Sequence, residues 1–198
     1  MFAILGVWAA WGVIWVALGL WANRTKVAAP AGRQAPYRLI NIVAFACMFV
    51  DGVYRPTPHG MRWTPFLPPL WQVPPSLGWL LAVLALGGLA LAVSARITLG
   101  RLWSAAVTRK EGHRIIDSGP YALVRHPIYT ALLMGSAAIA IAKGTPIALA
   151  GFALMILGYT LKARLEERFL AEELGQGAYA AYRRRVPMIV PFAPPARN

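Results

Sequence analysis

Residues 76–99 read SLGWLLAVLALGGLALAVSARITL, an apolar run with a single charged residue, Arg96. At about 1.5 Å of rise per residue a helix over this run is roughly 36 Å long, which is enough to cross the hydrocarbon core of a bilayer. Gly87 and Gly88 give the predicted helix a small surface that another helix can approach closely. We expect Arg96, near the end of the run, to extend towards the basic loop that follows. The stretch therefore predicts a transmembrane helix.

The composition of the whole chain agrees with a membrane protein. Its 198 residues are 58% hydrophobic, and a mean hydropathy of +0.53 leaves too little polar surface for a water-soluble globule. Several spans would occupy about half of this length, so a separate soluble catalytic domain has no room. The single Cys47 excludes an intramolecular disulfide framework and a metal site built from cysteines alone.

Four more apolar runs accompany residues 76–99, at 2–22, 37–54, 127–142 and 146–161. Only Lys143, Gly144 and Thr145 separate the last two, which predicts a helical hairpin. The helical pattern continues past residue 161 into charged sequence, and we expect it to stop at Gly175 and Gly177. We predict an all-α integral membrane protein with about five transmembrane helices and a C-terminal helical hairpin.

The connection after the second run is rich in proline. Residues 55–75 contain seven prolines, which cannot continue a helix and leave few donors for a strand, so we predict an irregular loop. Asp51 lies just before this loop, and an acid at membrane depth suggests a buried partner. Because Asp51 is near the end of its span, we expect it instead to reach water.

The distribution of charge predicts an orientation. The chain has 20 Lys and Arg against 7 Asp and Glu, a net charge of +13. Most of the basic residues fall in three blocks, at 23–38, at 101–126 and after residue 161. The intervening spans bring the three blocks to one side of a membrane, as the positive-inside rule expects. We therefore predict an outside N-terminus, a cytosolic C-terminus, a bilayer as partner and no nucleic acid.

Two polar segments hold the candidate functional residues. Gly119 and Pro120 predict a turn, and Pro127 suits the first position of a helix. Arg125 and His126 would then lie where unpaired helix amides attract negative groups. In the second segment Glu166 and Glu167 are adjacent, so on a helix they point about 100° apart. On helix physics alone the simpler interpretations are a solvated juxtamembrane helix and a capping histidine.

The sequence lacks the motifs of several common classes of enzyme. It has no Gly-x-Gly-x-x-Gly after a strand, no Walker lysine and no His-Glu-x-x-His motif. Its three histidines are His59, His113 and His126. We predict no metal site and no Rossmann nucleotide fold.

The motifs taken together resemble the isoprenylcysteine carboxyl methyltransferase family and its bacterial relatives. The resemblance covers about 100–192, and the wider group includes the phospholipid N-methyltransferases. The residues that carry it are Gly119-Pro120-Tyr121, Arg125-His126-Pro127-x-Tyr129, Glu166-Glu167-x-x-Leu170, Tyr179-x-x-Tyr182 and Val186-Pro187.

This resemblance implies a membrane methyltransferase that uses S-adenosylmethionine in a cytosolic pocket formed by the last spans and the C-terminal segment. It implies a lipophilic small-molecule or lipidated acceptor, methylated on a carboxylate or another oxygen. Residues 1–99 would form an N-terminal transmembrane part, and residues 100–198 the methyltransferase core. Arg125 and Glu167 would be catalytic, with Arg125 orienting either an anionic acceptor or the methionine carboxylate of the cofactor. The cofactor-binding residues would be Gly119, Pro120, Tyr121, His126, Tyr129, Glu166, Glu167 and Tyr182.

Three other functions stay open at this point. They are phospholipid N-methylation, an NADPH-dependent membrane reductase of the sterol-reductase type, and a scaffold whose basic loops only bind anionic lipid. We expect the protein in a bacterial inner membrane.

Overall fold

A computed structural model describes residues 1–21, 25–104, 108–110, 115–174 and 176–194. The chain is mostly helical, as predicted, with six helices in the described part: α1 Phe2–Gly19, α2 Ala31–Phe49, α3 Pro75–Leu99, α4 Pro127–Lys143, α5 Pro146–Leu174 and α6 Gln176–Arg185. Two antiparallel pairs of short strands join them: β1 Thr25–Ala28 with β4 Thr108–Lys110, and β2 Gly52–Thr57 with β3 Gly60–Pro65. His113 and Gly175, named above, lie outside the described part, as do some residues of the three basic blocks.

Each of the five apolar runs contains a helix, although the helix of the second run ends at Phe49 and residues 52–54 lie in β2. Among the described residues three helical stretches are long and apolar enough to cross a membrane: Phe2–Gly19, Pro75–Leu102 and Pro146–Glu172. Helix α4 is apolar but has only 17 residues. Helix α2 begins at residue 31 rather than 37, because Gln34 donates a hydrogen bond to the Ala29 carbonyl (2.6 Å) and so stabilises an earlier start. The first half of α2 is polar, so α2 is not one of the three stretches that are apolar enough to cross a membrane.

Glycine residues permit two close contacts between helices. A Cβ atom added at Gly151 of α5 would lie 2.8 Å from the Ala44 carbonyl of α2. A Cβ added at Gly88 of α3 would lie 2.8 Å from the Ala131 carbonyl of α4. Any side chain at these positions would therefore separate the helices, so glycine permits α2 to pack on α5 and α3 on α4.

The proline-rich connection is not wholly irregular, and that prediction was wrong for its first part. Strands β2 and β3 form a hairpin in which Gly52 is opposite Pro65 and Thr57 is opposite Gly60. Gly60 has a φ of +113°, which suits the turn. Proline is tolerated because each strand of a two-stranded hairpin has a free edge that needs no ladder donor.

The prediction for Asp51 was also wrong. Its side chain is fully buried and accepts hydrogen bonds from the Lys143 ammonium and the Thr145 hydroxyl, the latter at 2.7 Å. The Lys143 ammonium also lies 5.4 Å from the ring centre of Trp63 in β3. Asp51 therefore connects the end of α2 to the turn between α4 and α5, where Gly144 takes the left-handed conformation (φ +63°).

Arg96 extends towards the start of the loop that follows, as expected, and donates to the Gly100 carbonyl there. Its side chain is fully buried and donates to the carbonyls of Leu18 (2.6 Å) and Trp21 at the end of α1. Its guanidinium also lies 4.7 Å from the ring centre of Trp103. Helix C-termini attract cations, so Arg96 fastens the end of α1 to the end of α3.

Candidate active site

The site begins at the turn that leads into α4. Residues Gly119–Ala122 form one 3₁₀ turn, and Gly119 adopts a positive φ of +57°. Pro127 is the first residue of α4, as predicted, and His126 precedes it in a non-helical conformation. This turn brings Arg125 and His126 to the end of the bundle where α5 carries its two adjacent glutamates.

Arg125 is buried and makes contacts with two other parts of the chain. Its Nε donates to Oε1 of Glu167 at 2.7 Å. Its Nη1 donates to the carbonyls of Arg183 (3.2 Å) and Val186. The guanidinium therefore joins α5 to the segment that follows α6, and two of its three nitrogens are occupied by protein acceptors.

His126 lies between the two carboxylates. Its Nε2 is 3.2 Å from Oε1 of Glu167, and its Nδ1 is 3.6 Å from Oε2 of Glu166. The side chain of Glu167 is only 7% exposed, whereas that of Glu166 is 21% exposed. The expectation of a solvated juxtamembrane helix is therefore wrong for this pair, because both carboxylates have buried partners on α4 or just before it.

Tyr129, in the first turn of α4, adds further contacts between the site and α5. Its hydroxyl donates to Oε1 of Glu166 at 2.6 Å. Its ring stacks on His126 at 5.3 Å and on Tyr159 at 5.0 Å. The Lys162 ammonium lies 5.2 Å from the centre of the same ring. Aromatic faces of this kind attract cations.

The C-terminal segment closes the site by backbone and side-chain contacts. The amide of Arg125 donates to the Pro187 carbonyl (2.8 Å), and that of His126 donates to the Met188 carbonyl (3.0 Å). The Tyr182 hydroxyl donates to the Tyr121 carbonyl at 2.7 Å. Burial raises the pKa of Tyr182, so its hydroxyl stays protonated and remains a donor at neutral pH.

The predicted residues separate into three groups. Arg125, His126, Tyr129 and the two glutamates form one contiguous cluster, whose contacts are given above. Gly119 and Pro120 shape the turn, and a Cβ at Gly119 would meet Thr98 of α3 at 3.4 Å. Tyr121 and Tyr182 support the cluster, because the Tyr182 hydroxyl donates to the backbone carbonyl of Tyr121.

Sequence reasoning missed three members of the site, of which two, Tyr159 and Lys162, are on α5. Both share a face of α5 with Glu166, at relative positions i, i+3 and i+7. That periodicity was the signal that could have found them. Arg183 was missed as well, and its Nε lies 3.4 Å from Oε2 of Glu167.

Comparison with known proteins gives this cluster a family. The sequence profile of the isoprenylcysteine carboxyl methyltransferase (ICMT) family matches residues 80–172. Over these residues, a little under half of the chain, the protein is similar to the ICMT family. The match includes the turn, α4 and both glutamates, and ends before Tyr179 and the Val186-Pro187 segment.

Three curated relatives share parts of the chain. The cobalt-zinc-cadmium resistance protein CzcN of Cupriavidus metallidurans is 37% identical over 118 residues, 57% of this chain and 50% of the relative. Protein-S-isoprenylcysteine O-methyltransferase B of Arabidopsis thaliana is 31% identical over 50% of this chain and 51% of its own. The methanethiol S-methyltransferase of a Pseudomonas species is 31% identical over 80% of this chain and 59% of its own. The chain thus spans about half the length of the curated relatives it matches.

A solved structure shows the same fold. The eukaryotic intramembrane Ras methyltransferase ICMT superposes with a TM-score of 0.52 at 20% identity, covering 80% of this chain and 53% of that one. The predicted resemblance to the ICMT family and the predicted helical membrane fold are both confirmed.

Proposed function

We propose that this chain catalyses S-adenosylmethionine-dependent methyl transfer to a lipophilic acceptor at the cytosolic boundary of the membrane. The observation that carries the proposal is the buried cluster of Arg125, His126, Tyr129, Glu166 and Glu167, which lies within the region that matches the ICMT family. A cluster with this much buried charge needs a reason beyond packing, because buried ionic groups add little net stability.

The chemistry of these side chains fits the proposed cofactor. S-adenosylmethionine is cationic at its sulfonium and its ammonium, and when bound it supplies an electrophilic methyl group. Two carboxylates and a stack of aromatic rings are the groups that attract such cations. We assign Glu166 and Glu167 to the polar groups of the cofactor, and His126 and Tyr129 to the wall of its pocket.

The remaining predicted residues have supporting roles in this proposal. Arg125 holds Glu167 in place and fastens the C-terminal segment through the carbonyls of Arg183 and Val186. Gly119, Pro120 and Tyr121 shape the pocket entrance, and Tyr182 holds the backbone of Tyr121. Arg125 and Glu167 thus act together, one by positioning and one by contact.

We keep the division into an N-terminal transmembrane part, 1–99, and a methyltransferase core, 100–198. We also propose a cytosolic C-terminus in a bacterial inner membrane. In support, β1 of the first basic block pairs with β4 of the second, so these two blocks lie at one end of the bundle. Helix α5 has 29 residues and is about 44 Å long, which exceeds a hydrocarbon core of about 30 Å. Its last turns, with the two glutamates, would emerge at that end.

The experiment that tests this function compares ligands by thermal shift on detergent-purified protein. We expect S-adenosylhomocysteine to raise the unfolding temperature and NADPH to leave it unchanged, because only a ligand of the native state stabilises it. Stabilisation by NADPH would support the reductase instead. A response to neither ligand, with anionic lipid alone stabilising, would support the scaffold.

A further inference from the structure

The β2–β3 hairpin lies at the end of the bundle opposite the candidate active site. Helix α5 begins at this end with Pro146, and Glu166 lies roughly 30 Å further along that helix. The base of the hairpin is fixed where the Phe66 amide donates to the Asp51 carbonyl (2.9 Å). Helix α3, which is long and apolar enough to cross a membrane, begins shortly after the hairpin. The hairpin therefore lies near one membrane surface, and the candidate site lies near the other.

Alternation along the two strands gives the hairpin two different faces, because successive side chains of a strand point to opposite sides. One face is apolar and consists of two directly opposed pairs: Tyr54 with Trp63, and Pro56 with Met61. The other face is polar apart from one valine and carries Val53, Arg55, Thr57, Arg62 and Thr64. The hairpin is therefore amphipathic.

Much of the apolar face is uncovered in the structure. The side chain of Tyr54 is 62% exposed and that of Met61 is 64% exposed. The connection that follows the hairpin is also rich in exposed apolar side chains: Phe66, Leu67, Leu70 and Trp71. Exposed apolar side chains in this concentration mark an interaction surface, and tyrosine and tryptophan are favoured at the boundary between membrane and water.

Two arginines lie directly opposite each other on the polar face. Arg55 and Arg62 are register partners, so their Cβ atoms are about 5 Å apart. Both are exposed, and neither has an acidic partner in the described part of the chain. Like charges in this arrangement are destabilising. Asp51 is the only acid in residues 50–75, and its carboxylate is paired with Lys143.

The chemistry of this arginine pair favours a phosphate. An anion between the two guanidinium groups would remove their repulsion, and guanidinium groups match phosphate oxygens by paired hydrogen bonds. In a bilayer the phosphates lie in a headgroup region roughly 5–7 Å deep, directly outside the hydrocarbon. A hairpin that lies flat in this region directs Tyr54 and Met61 towards the hydrocarbon and both arginines towards the phosphates. A lipid thus satisfies both faces, whereas an acidic soluble partner satisfies only one.

We infer that the β2–β3 hairpin lies in the headgroup region of the leaflet opposite the candidate active site, where Arg55 and Arg62 together bind the phosphate of an anionic phospholipid. The interaction does not depend on the proposed methyl transfer. It would hold the connection between α2 and α3 against the membrane surface.

Electron paramagnetic resonance on the full chain in nanodiscs that hold one copy tests this inference. In a Cys47→Ala background, nitroxides are attached at Met61→Cys on the apolar face and at Thr57→Cys on the polar face. The measurement is the accessibility of each label to oxygen relative to a water-soluble nickel chelate, a ratio that rises with depth in the bilayer. We expect a higher ratio at position 61 than at position 57. Adding dioleoylphosphatidylglycerol to discs of dioleoylphosphatidylcholine should raise the ratio at position 61 further.

Arg55→Gln and Arg62→Gln test the phosphate site with the label at position 61. Each should raise the fraction of phosphatidylglycerol at half effect about fivefold, the usual contribution of one arginine near an anionic membrane surface. The double variant should show no response to this lipid. Arg33→Gln is the matched control, because it removes an exposed cation of α2 at the other end of the bundle. It should leave the response at position 61 unchanged.

Three results would overturn the inference. Equal ratios at positions 57 and 61 would show that the apolar face lies in water, where a protein partner or a second copy would have to cover it. An unchanged response to phosphatidylglycerol in the double variant would remove the phosphate site. A rise in the ratio at position 61 when inorganic phosphate is added to discs of phosphatidylcholine alone would show that the arginines bind a free anion rather than a lipid.

Discussion

The two ends of the helical bundle each bury charged side chains, but they do so differently. At one end Asp51 accepts hydrogen bonds from one cation, Lys143, and one hydroxyl, Thr145. Trp63 of the β2–β3 hairpin packs on the Lys143 ammonium. At the other end two carboxylates share a histidine, an arginine and a tyrosine. The first arrangement balances its charge and needs no further partner.

The second arrangement has features that packing alone does not require. His126 is placed between two carboxylates, and Glu166 retains some exposure. A groove between α2 and α5 lies beside it, and Tyr159 both lines this groove and stacks on Tyr129 at 5.0 Å. A balanced buried pair therefore indicates a structural connection, whereas shared donors beside a groove indicate a site for a ligand. Four substitutions test this distinction, beginning with the largest expected effect.

Lys143→Met should cause the largest loss of stability. It leaves the fully buried Asp51 carboxylate without a cation, and breaking a buried pair this way destabilises a protein by about 3–5 kcal/mol. Chemical denaturation in detergent measures this change. Molecules that remain folded should bind S-adenosylhomocysteine as the wild type does. A variant with normal stability and weakened product binding would reverse the roles given to the two ends.

Glu167→Gln should act in the opposite sense, on binding more than on folding. It removes the charge that meets Arg125 and His126, where a charge-assisted hydrogen bond contributes about 1.5–3 kcal/mol. We expect S-adenosylhomocysteine to bind at least about tenfold more weakly by calorimetry. Glu166→Gln is the matched comparison, and a larger loss there would make Glu166 the principal cofactor contact. Normal binding by both variants would rule out a carboxylate site.

Arg125→Lys should reduce turnover by about tenfold while keeping the charge. A lysine ammonium lacks the planar guanidinium, so it cannot contact Glu167 and the carbonyls of Arg183 and Val186 at the same time. Methyl transfer under saturating cofactor and limited proteolysis of the C-terminal segment are the two measurements. We expect both slower transfer and faster cleavage after residue 186. Slower transfer with unchanged cleavage would show that Arg125 contacts a ligand instead of positioning the segment.

Tyr129→Phe should have the smallest effect of the four. It removes one hydrogen bond to Glu166 (2.6 Å) but keeps the ring that stacks on His126 and Tyr159. A hydrogen bond to a charged group contributes about 1.5–3 kcal/mol, and partial exposure of Glu166 brings the expected loss to the lower end. Product affinity should fall about threefold to tenfold by calorimetry. A loss above a hundredfold would mean that the hydroxyl contacts the cofactor directly.

The sequence predicted best the features that depend on neighbouring residues. The helical hairpin, its turn at Gly144 and the start of α4 at Pro127 follow from local chemistry, and all three are confirmed. The β2–β3 hairpin was missed because seven prolines outweighed the single turn signal of Gly60. Local periodicity also indicated that the helix of Glu166 and Glu167 continues beyond residue 161, which α5 does.

Contacts between residues far apart in the chain could not be predicted from the sequence. Asp51 and Lys143 are 92 positions apart, and Arg125 and Glu167 are 42 apart. The pattern of one helix shows which residues share a face, but not which face of another helix it meets. For that reason the family motifs identified the residues of the cluster, while the partners of Arg125 and the groove beside Tyr159 became visible only in the structure.

Transfer of a labelled methyl group from S-adenosylmethionine by purified protein tests the central claim most directly. The acceptors are a long-chain carboxylic acid, a thiol and a bacterial lipid extract, and the organic phase is counted. We predict label in the organic phase with the wild type and with the control Arg164→Gln, which removes an exposed cation of α5, and at least a tenfold loss with Glu167→Gln. Absence of label with every acceptor from folded wild-type protein, or equal label from Glu167→Gln, would contradict a methyl-transfer site at this cluster.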